Sequence, residues 1–241
     1  MQSVHIVSAY DEELKFLAKR IAAMGGHAER MVEQAVAALV NADQDLAQKV
    51  IRDDIVLDEG QREIDDKAIL IIARRQPMAT DLREIVGAIR ISADLERVGD
   101  LGKNVAKRVM SVTDGRDATS LYRGLEALAN LALIQLKEVL DVYASRSVDK
   151  IGLVRDRDEQ IDAMYTSLFR ELLTYMMEDP RNITSCTHLL FCAKNIERIG
   201  DHATNIAETI YYIVTGDQMP ADRPKEDKTD RVVMQQPEVA K

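Results

Sequence analysis

Residues 96–106 read Glu-Arg-Val-Gly-Asp-Leu-Gly-Lys-Asn-Val-Ala, and residues 197–207 read Glu-Arg-Ile-Gly-Asp-His-Ala-Thr-Asn-Ile-Ala. Six of the eleven positions are identical and two more exchange Val for Ile, at a constant offset of 101 residues (197 − 96). Because self-similarity at a period of about 100 residues is too long for a solenoid repeat, it indicates a duplicated domain.

Acidic positions earlier in the chain also recur, at an offset of 104 residues (158 − 54). The change of offset from 104 to 101 implies that the stretch of chain between these motifs of the second and third helices is three residues shorter in the second unit than in the first. We therefore predict two related units, residues 1–114 and 118–216, and a disordered tail, residues 217–241, which has few apolar residues and no period. The recurring acids are Asp45 with Asp149, Asp54 with Asp158, and Asp58 with Asp162.

The composition favours long helices in both units. Charged residues make up 30% of the chain and aromatic residues only 4%, which suits amphipathic helices better than β-sandwiches or barrels. Each unit divides into three helical segments, so the predicted fold is all-α, with six long helices in two tandem, similar three-helix bundles. The predicted breaks are the polar turn 41–45, the Pro-containing stretch 76–80, the linker 113–117, the turns 145–149 and 178–182, and Gly216.

The first helix is predicted from Glu12 to Val40, the second ends near Arg75 and the third near Val112. Within the first helix the pair Gly25-Gly26 costs about 1 kcal/mol per glycine relative to alanine. This pair predicts a kink or a close approach of another helix, with a break in the helix as the alternative.

Acidic side chains share one face of each third helix, because residues four apart lie one turn apart. In the first unit Glu96, Asp100 and Asn104 form a polar stripe that is predicted to point away from the apolar seam and outward. The second helices add an Asp-x-x-x-Asp pair at the edge of their apolar faces. The full set of candidate metal ligands is Glu96, Asp100, Asn104, Asp54 and Asp58 in unit one, and Glu197, Asp201, Asn205, Asp158 and Asp162 in unit two.

Carboxylates at positions i and i+4 repel each other unless a cation neutralises them. Oxygen ligands suit Mg²⁺, Mn²⁺ or iron, with zinc a further candidate, and an outward stripe would keep open coordination positions. The alternative is a solvated charged face with Arg97 and Arg198 as counter-ions, and these arginines are also candidate partner-binding residues. Because His202 replaces Leu101 and Arg157 replaces Asp53 in the repeat, the sequence does not require equal metal loading of the two units.

The overall charge and hydropathy exclude several classes of protein. A net charge of −9 argues against a nucleic-acid-binding protein, which needs a basic stripe. The longest apolar runs, Ala35–Val40 and Ala68–Ala73, are far shorter than the roughly 20 residues that span a bilayer. The first ten residues lack a signal-peptide pattern. The expected location is cytoplasmic, with any membrane link made through a partner.

Taken together, these motifs resemble the PhoU family of phosphate-specific transport accessory proteins. The resemblance covers about residues 8–216 and rests on Met24-Gly25-Gly26, Arg75-Gln76-Pro77, the paired Glu-Arg-x-Gly-Asp segments and the stretch Tyr175–Asp179. It implies two side-by-side three-helix bundles whose acidic motifs bind metal ions in some members. It also implies a non-enzymatic, homodimeric negative regulator of the phosphate-starvation response, an adaptor between the ATPase subunit of the phosphate ABC transporter and a sensor histidine kinase.

Two other classes of protein are alternatives to this one. A ferritin-like di-iron enzyme needs inward Glu-x-x-His motifs, and none of the four histidines has a Glu three residues before it. A metal-free helical scaffold, with acidic faces that bind basic partner surfaces, stays open. No Gly-x-Ser-x-Gly motif or Walker loop supports a nucleophilic or nucleotide-hydrolysing enzyme.

Overall fold

The computed structural model describes residues 2–111 and 119–219, and this part of the chain is helical with no strand. The predicted all-α class is confirmed, and residues 2–111 and 119–219 contain six long helices and one short one. Two single 3₁₀ turns, Val148–Lys150 and Pro180–Asn182, precede the last two helices. The α-helices are α1 (Gln2–Asn41), α2 (Gln44–Asp53), α3 (Ile55–Arg75), α4 (Thr80–Val109), α5 (Thr119–Ser145), α6 (Ile151–Glu178) and α7 (Ile183–Thr215).

The second predicted helix is interrupted at one residue. Asp54 alone separates α2 from α3, and its backbone angles (φ −56°, ψ −35°) stay helical. Its carbonyl oxygen accepts hydrogen bonds from the backbone N–H of both Leu57, at 3.0 Å, and Asp58, at 3.3 Å. Sharing one carbonyl in this way tightens the turn locally, so α2 and α3 continue as one helix with a local distortion at Asp54.

Several predicted helix ends move by a few residues. Helix α1 begins at Gln2 instead of Glu12, and Tyr10 on this added part packs against the core. Helix α4 ends at Val109, before the predicted Val112. Gly216 ends α7 as predicted: it has φ 83°, where a side chain would be strained, and its N–H donates to Tyr212. The linker 113–117 and the tail from residue 220 lie outside the described residues.

The helices form two three-helix bundles around one continuous core. Helices α1, α2–α3 and α4 make the first bundle, and α5, α6 and α7 make the second. Helices α4 and α7 pack antiparallel along the interface: Gly87 near the start of α4 faces Ile213 near the end of α7, while Arg108 near the end of α4 contacts His188 near the start of α7. The third helix of each repeat is therefore central, with its polar stripe beside its own second helix.

A second contact between the bundles joins α1 to α5. Helix α1 runs unbroken through Gly25 and Gly26, and a Cβ atom built on Gly25 would lie only 2.5 Å from Cδ2 of Leu140. The predicted close approach is thus confirmed at Gly25. None of the helices in the described part of the chain is long and apolar enough to span a bilayer.

Candidate functional site

The first acidic cluster consists of Asp54, Asp58, Glu96 and Asp100. Asp54 is buried, and the other three side chains are half-buried between α2–α3 and α4. Burial raises the pKa of Glu96, and repulsion by Asp100 adds to this rise. Asp58 and Asp54 raise the pKa further, whereas Arg97 lowers it. The two acidic pairs therefore face each other across the helices, as their spacing predicted.

A lysine that the sequence prediction did not include lies within this first acidic cluster. The Lys103 ammonium donates to Oδ1 of Asp100 at 2.5 Å, and it also donates to Oδ2 of Asp54. The Lys103 side chain is only 20% exposed. Burial disfavours its charge, but the hydrogen bonds to Asp100 and Asp54 outweigh that effect and hold its pKa above the ordinary value. The signal available in the sequence was its position, three residues after Asp100 on α4.

The second acidic cluster consists of Asp158, Asp162, Glu197 and Asp201. Glu197 is 4% exposed, and its Oε1 accepts a 2.8 Å hydrogen bond from the Lys194 ammonium. Its Oε2 is buried without a hydrogen-bond partner among the described residues. Burial raises the pKa of Glu197 to about 7; Lys194 opposes this rise, and Asp201 and Asp162 add to it.

The prediction that the acidic stripes point outward is wrong, most clearly in the second bundle. Of the second stripe, Glu197 is buried and Asp201 and Asn205 are half-buried; of the first, Glu96 and Asp100 are half-buried and Asn104 is exposed. Asp158 and Asp162, predicted at the edge of an apolar face, are buried as well, at 6% and 7% exposed. The physical reason is that a helical wheel shows one helix alone. In a three-helix bundle the stripe lies beside the second helix, which covers it from the side.

A polar network inside the second bundle was also missed. Gln135 of α5 is fully buried, and its Nε2 lies 3.0 Å from the carbonyl oxygen of Val154, 3.1 Å from Oγ1 of Thr204 and 3.4 Å from Oδ1 of Asp158. The Thr204 hydroxyl also donates to Oδ1 of Asp158, at 3.0 Å. One acid of the second cluster is therefore held by neutral donors from two other helices.

The remaining predicted site residues lie at the edges of the two clusters. Arg97 is 60% exposed and pairs with its own neighbours, at 3.3 Å to Asp100 and 3.6 Å to Glu96. Arg198 is exposed and Asn205 half-buried. Asn104 is exposed and lines an open cavity of about 370 Å³ between α4 and α7. Arg97 thus acts as a local counter-ion, which was one of the two alternatives.

The donors of the two clusters differ in how well they suit a metal ion. In the described ranges, no three His, Cys, Asp or Glu side chains converge closely enough to hold one. The first cluster does not fit a divalent cation, because the Lys103 ammonium already bonds one carboxylate from each side. The second keeps an unpartnered oxygen on Glu197, which is the donor type that hard cations take. Metal binding at the predicted residues stays a prediction.

These observations define a class: an internally duplicated, all-helical bundle protein with one acidic cluster beside the third helix of each repeat. A model of the PhoU domain matches the chain twice, over residues 21–109 and 125–210. The chain belongs to the PhoU family.

Comparison with individual proteins agrees with this membership. The chain is 70% identical to the phosphate-specific transport system accessory protein PhoU homolog of Rhizobium meliloti over 229 residues, 95% of this chain and 97% of the relative. The crystal structure of PhoU from Pseudomonas aeruginosa superposes with a TM-score of 0.80 at 37% identity, covering 86% of this chain and all of that one. The phosphate transport system regulatory protein PhoU from Streptococcus pneumoniae gives 0.81 at 27% identity, covering 88% and 99%.

Proposed function

We propose that this protein is a negative regulator of the phosphate-starvation response that also modulates phosphate uptake. It acts as an adaptor between the ATPase subunit of the phosphate ABC transporter and a sensor histidine kinase. The observation that carries the proposal is the 70% identity, over almost the whole of both chains, to a protein named as an accessory to the phosphate-specific transport system. The word "regulatory" in the name of the Streptococcus pneumoniae protein supports the signalling part.

The proposed mechanism is binding, without chemistry on a substrate. The adaptor lies on the cytoplasmic side and reaches the membrane only through its partners. When phosphate is ample, it contacts the transporter and holds the kinase in its inactive or phosphatase state. The two bundles share one hydrophobic core, and this supports the adaptor role. A partner bound to one bundle is thereby held at a fixed distance and orientation from a partner bound to the other.

Deletion of the gene tests the regulatory role. The deletion strain should express a phosphate-starvation reporter constitutively in high phosphate, and the intact gene on a plasmid should restore repression. Normal repression in the deletion strain would refute the proposal. Affinity capture from membranes in high and low phosphate then tests the adaptor role, and recovery of neither the ATPase subunit nor the kinase would refute that part.

Cation binding is proposed only for the second cluster. Glu197 would supply one oxygen ligand to a hard divalent cation, which when bound would offset the repulsion between Glu197 and its neighbours Asp162 and Asp201. The buried, unpartnered Oε2 of Glu197 supports this proposal. Metal analysis of protein purified without chelators tests it: a metal content that Glu197→Gln lowers is expected, and an equal content in both would oppose it.

A metal-free scaffold is the second candidate, and a specific observation favours it. Each acidic cluster contains an internal ammonium group, from Lys103 in the first bundle and from Lys194 in the second. Neutralisation from within the chain makes a metal unnecessary for folding. Protein that binds its partners equally well with and without a chelator would favour this candidate. Homodimer formation stays a prediction, which sedimentation equilibrium measures directly.

A further inference from the structure

The Lys103 ammonium joins the two helices that carry the first acidic cluster. It bonds Asp100 on its own helix, at 2.5 Å, and Asp54 at the junction of α2 and α3. The Asp54 side chain is 10% exposed and the Lys103 side chain 20% exposed. A pair with so little solvent around it is weakly screened, so the ammonium is a firmly held positive charge.

The second repeat has a different residue at this position. The offset of 101 residues places Thr204 at the position of Lys103 (103 + 101), and the offset of 104 places Asp158 at that of Asp54 (54 + 104). The structure confirms this pairing of positions, because Thr204 donates to Asp158 at 3.0 Å, as Lys103 donates to Asp54. At this position the duplicated site thus carries a cationic donor in one copy and a neutral hydroxyl in the other, and the ammonium of the second cluster, Lys194, comes from a different position and bonds Glu197 instead.

We propose that Lys103 is the resident counter-ion of the first acidic cluster and excludes divalent metal ions from it, so that the two repeats differ in cation binding. A divalent ion at Asp54 and Asp100 would have to displace the ammonium, break two charge-assisted hydrogen bonds and leave a half-buried charge without a partner. An ammonium and a divalent ion held at the same carboxylates would repel each other strongly in this weakly screened site. This inference is independent of the adaptor role, because it concerns binding by the isolated protein.

The test is a titration with Mn²⁺, followed by electron paramagnetic resonance of the free ion. Lys103→Met removes the charge and keeps a similar length, whereas Lys103→Arg keeps the charge and is the matched control. The Met variant should gain one bound Mn²⁺ per chain relative to wild type, at least about tenfold tighter than any binding of wild type at this cluster. The Arg variant should match wild type. Equal stoichiometry and affinity in Lys103→Met and wild type would overturn the proposal.

Two further variants show where the additional Mn²⁺ binds and keep the test valid if Lys103→Met does not fold. Adding Asp54→Asn to Lys103→Met should abolish the gained site, and retention of that site would count against the assignment. If Lys103→Met does not fold, wild type and Asp54→Asn alone are compared. The proposal requires equal Mn²⁺ binding by these two proteins, and loss of a bound ion in Asp54→Asn would refute it. None of these outcomes depends on signalling, so failure here and failure of the adaptor role are distinguishable.

Discussion

Oδ1 of Asp94 on α4 lies 2.8 Å from Nδ1 of His202 on α7, across the interface between the two bundles. The two side chains are only 18% and 17% exposed. The repeat offset of 101 residues pairs Asp94 with Asn195 and His202 with Leu101 (94 + 101; 202 − 101), and an Asn–Leu pair cannot form this interaction. The duplicated interface is therefore asymmetric, and one half-buried polar pair exists in a single copy.

This pair should contribute measurably to the stability of the interface. Asp94→Ala should lower the free energy of unfolding by about 1–2 kcal/mol, because a partly buried imidazole loses its hydrogen-bond partner. Asp94→Asn should cost less, since an amide oxygen can still accept from His202. Urea unfolding of Asp94→Ala, His202→Leu and the double variant gives the coupling energy. Single effects that simply add in the double variant would show that the two residues do not interact.

Substitution at Gly25 and Gly26 should have opposite effects although the residues are adjacent. Gly25→Ala should destabilise by about 1–2 kcal/mol, because its Cβ would lie 2.5 and 2.8 Å from the two methyl carbons of Leu140 and force that side chain to move. Gly26→Ala should stabilise by about 0.5–1 kcal/mol, since the nearest atom, on Arg30, is 3.6 Å away and alanine favours the helix. Thermal unfolding measures both, and shifts of the same sign would contradict the close approach at Gly25.

The helices could be predicted from the sequence because their evidence is local and repeated. The match between 96–106 and 197–207 doubled the evidence for one helix, and Gly216 marked the end of α7 at the residue where the structure has it. The two acids of each pair share one face as predicted, because i and i+4 spacing fixes which residues of a helix lie on the same side. These properties depend on one helix at a time.

The surroundings of the acids could not be predicted in the same way, because they depend on how three helices pack. Burial of Glu197 follows from the rotation of α7 against its neighbours, which a single-helix wheel does not contain. The sequence alone gives Lys103 the pattern of an ordinary surface lysine, because its partner Asp54 comes from another helix. Gln135 was missed for the same reason, since its partners lie 19 to 69 residues away in the chain.

The neutral network in the second bundle predicts different costs at two buried threonines. Thr204→Val should destabilise the fold by about 1–2 kcal/mol, because Asp158 loses a 3.0 Å hydrogen bond. Valine has nearly the shape of threonine, so the packing around Asp158 is kept. Thr166→Val is the matched control, since the buried Oγ1 of Thr166 has no hydrogen-bond partner among the described residues. That change should be neutral or stabilise by up to about 1 kcal/mol. Equal losses in urea unfolding would show that the Thr204 bond contributes nothing.

Glu197 should make the fold less stable as the pH rises, a trend that Glu197→Gln should remove. Burial, with Asp201 and Asp162 nearby and Lys194 opposing them, raises the pKa of Glu197 from 4.5 to about 7 in the folded state. Between these values the folded chain binds more protons than the unfolded one, so the free energy of unfolding falls as pH rises, and above about pH 7 the full cost of burying the charge applies. In the presence of a chelator, the free energy of unfolding of Glu197→Gln should exceed that of wild type by up to about 2–3 kcal/mol above that pH and match it near pH 4.

The control is Glu208→Gln, at an exposed position on the same helix, whose free energy of unfolding should follow wild type throughout. A constant difference between Glu197→Gln and wild type across this range would mean that the pKa of Glu197 is the same in the folded and unfolded states, and would contradict the rise caused by burial.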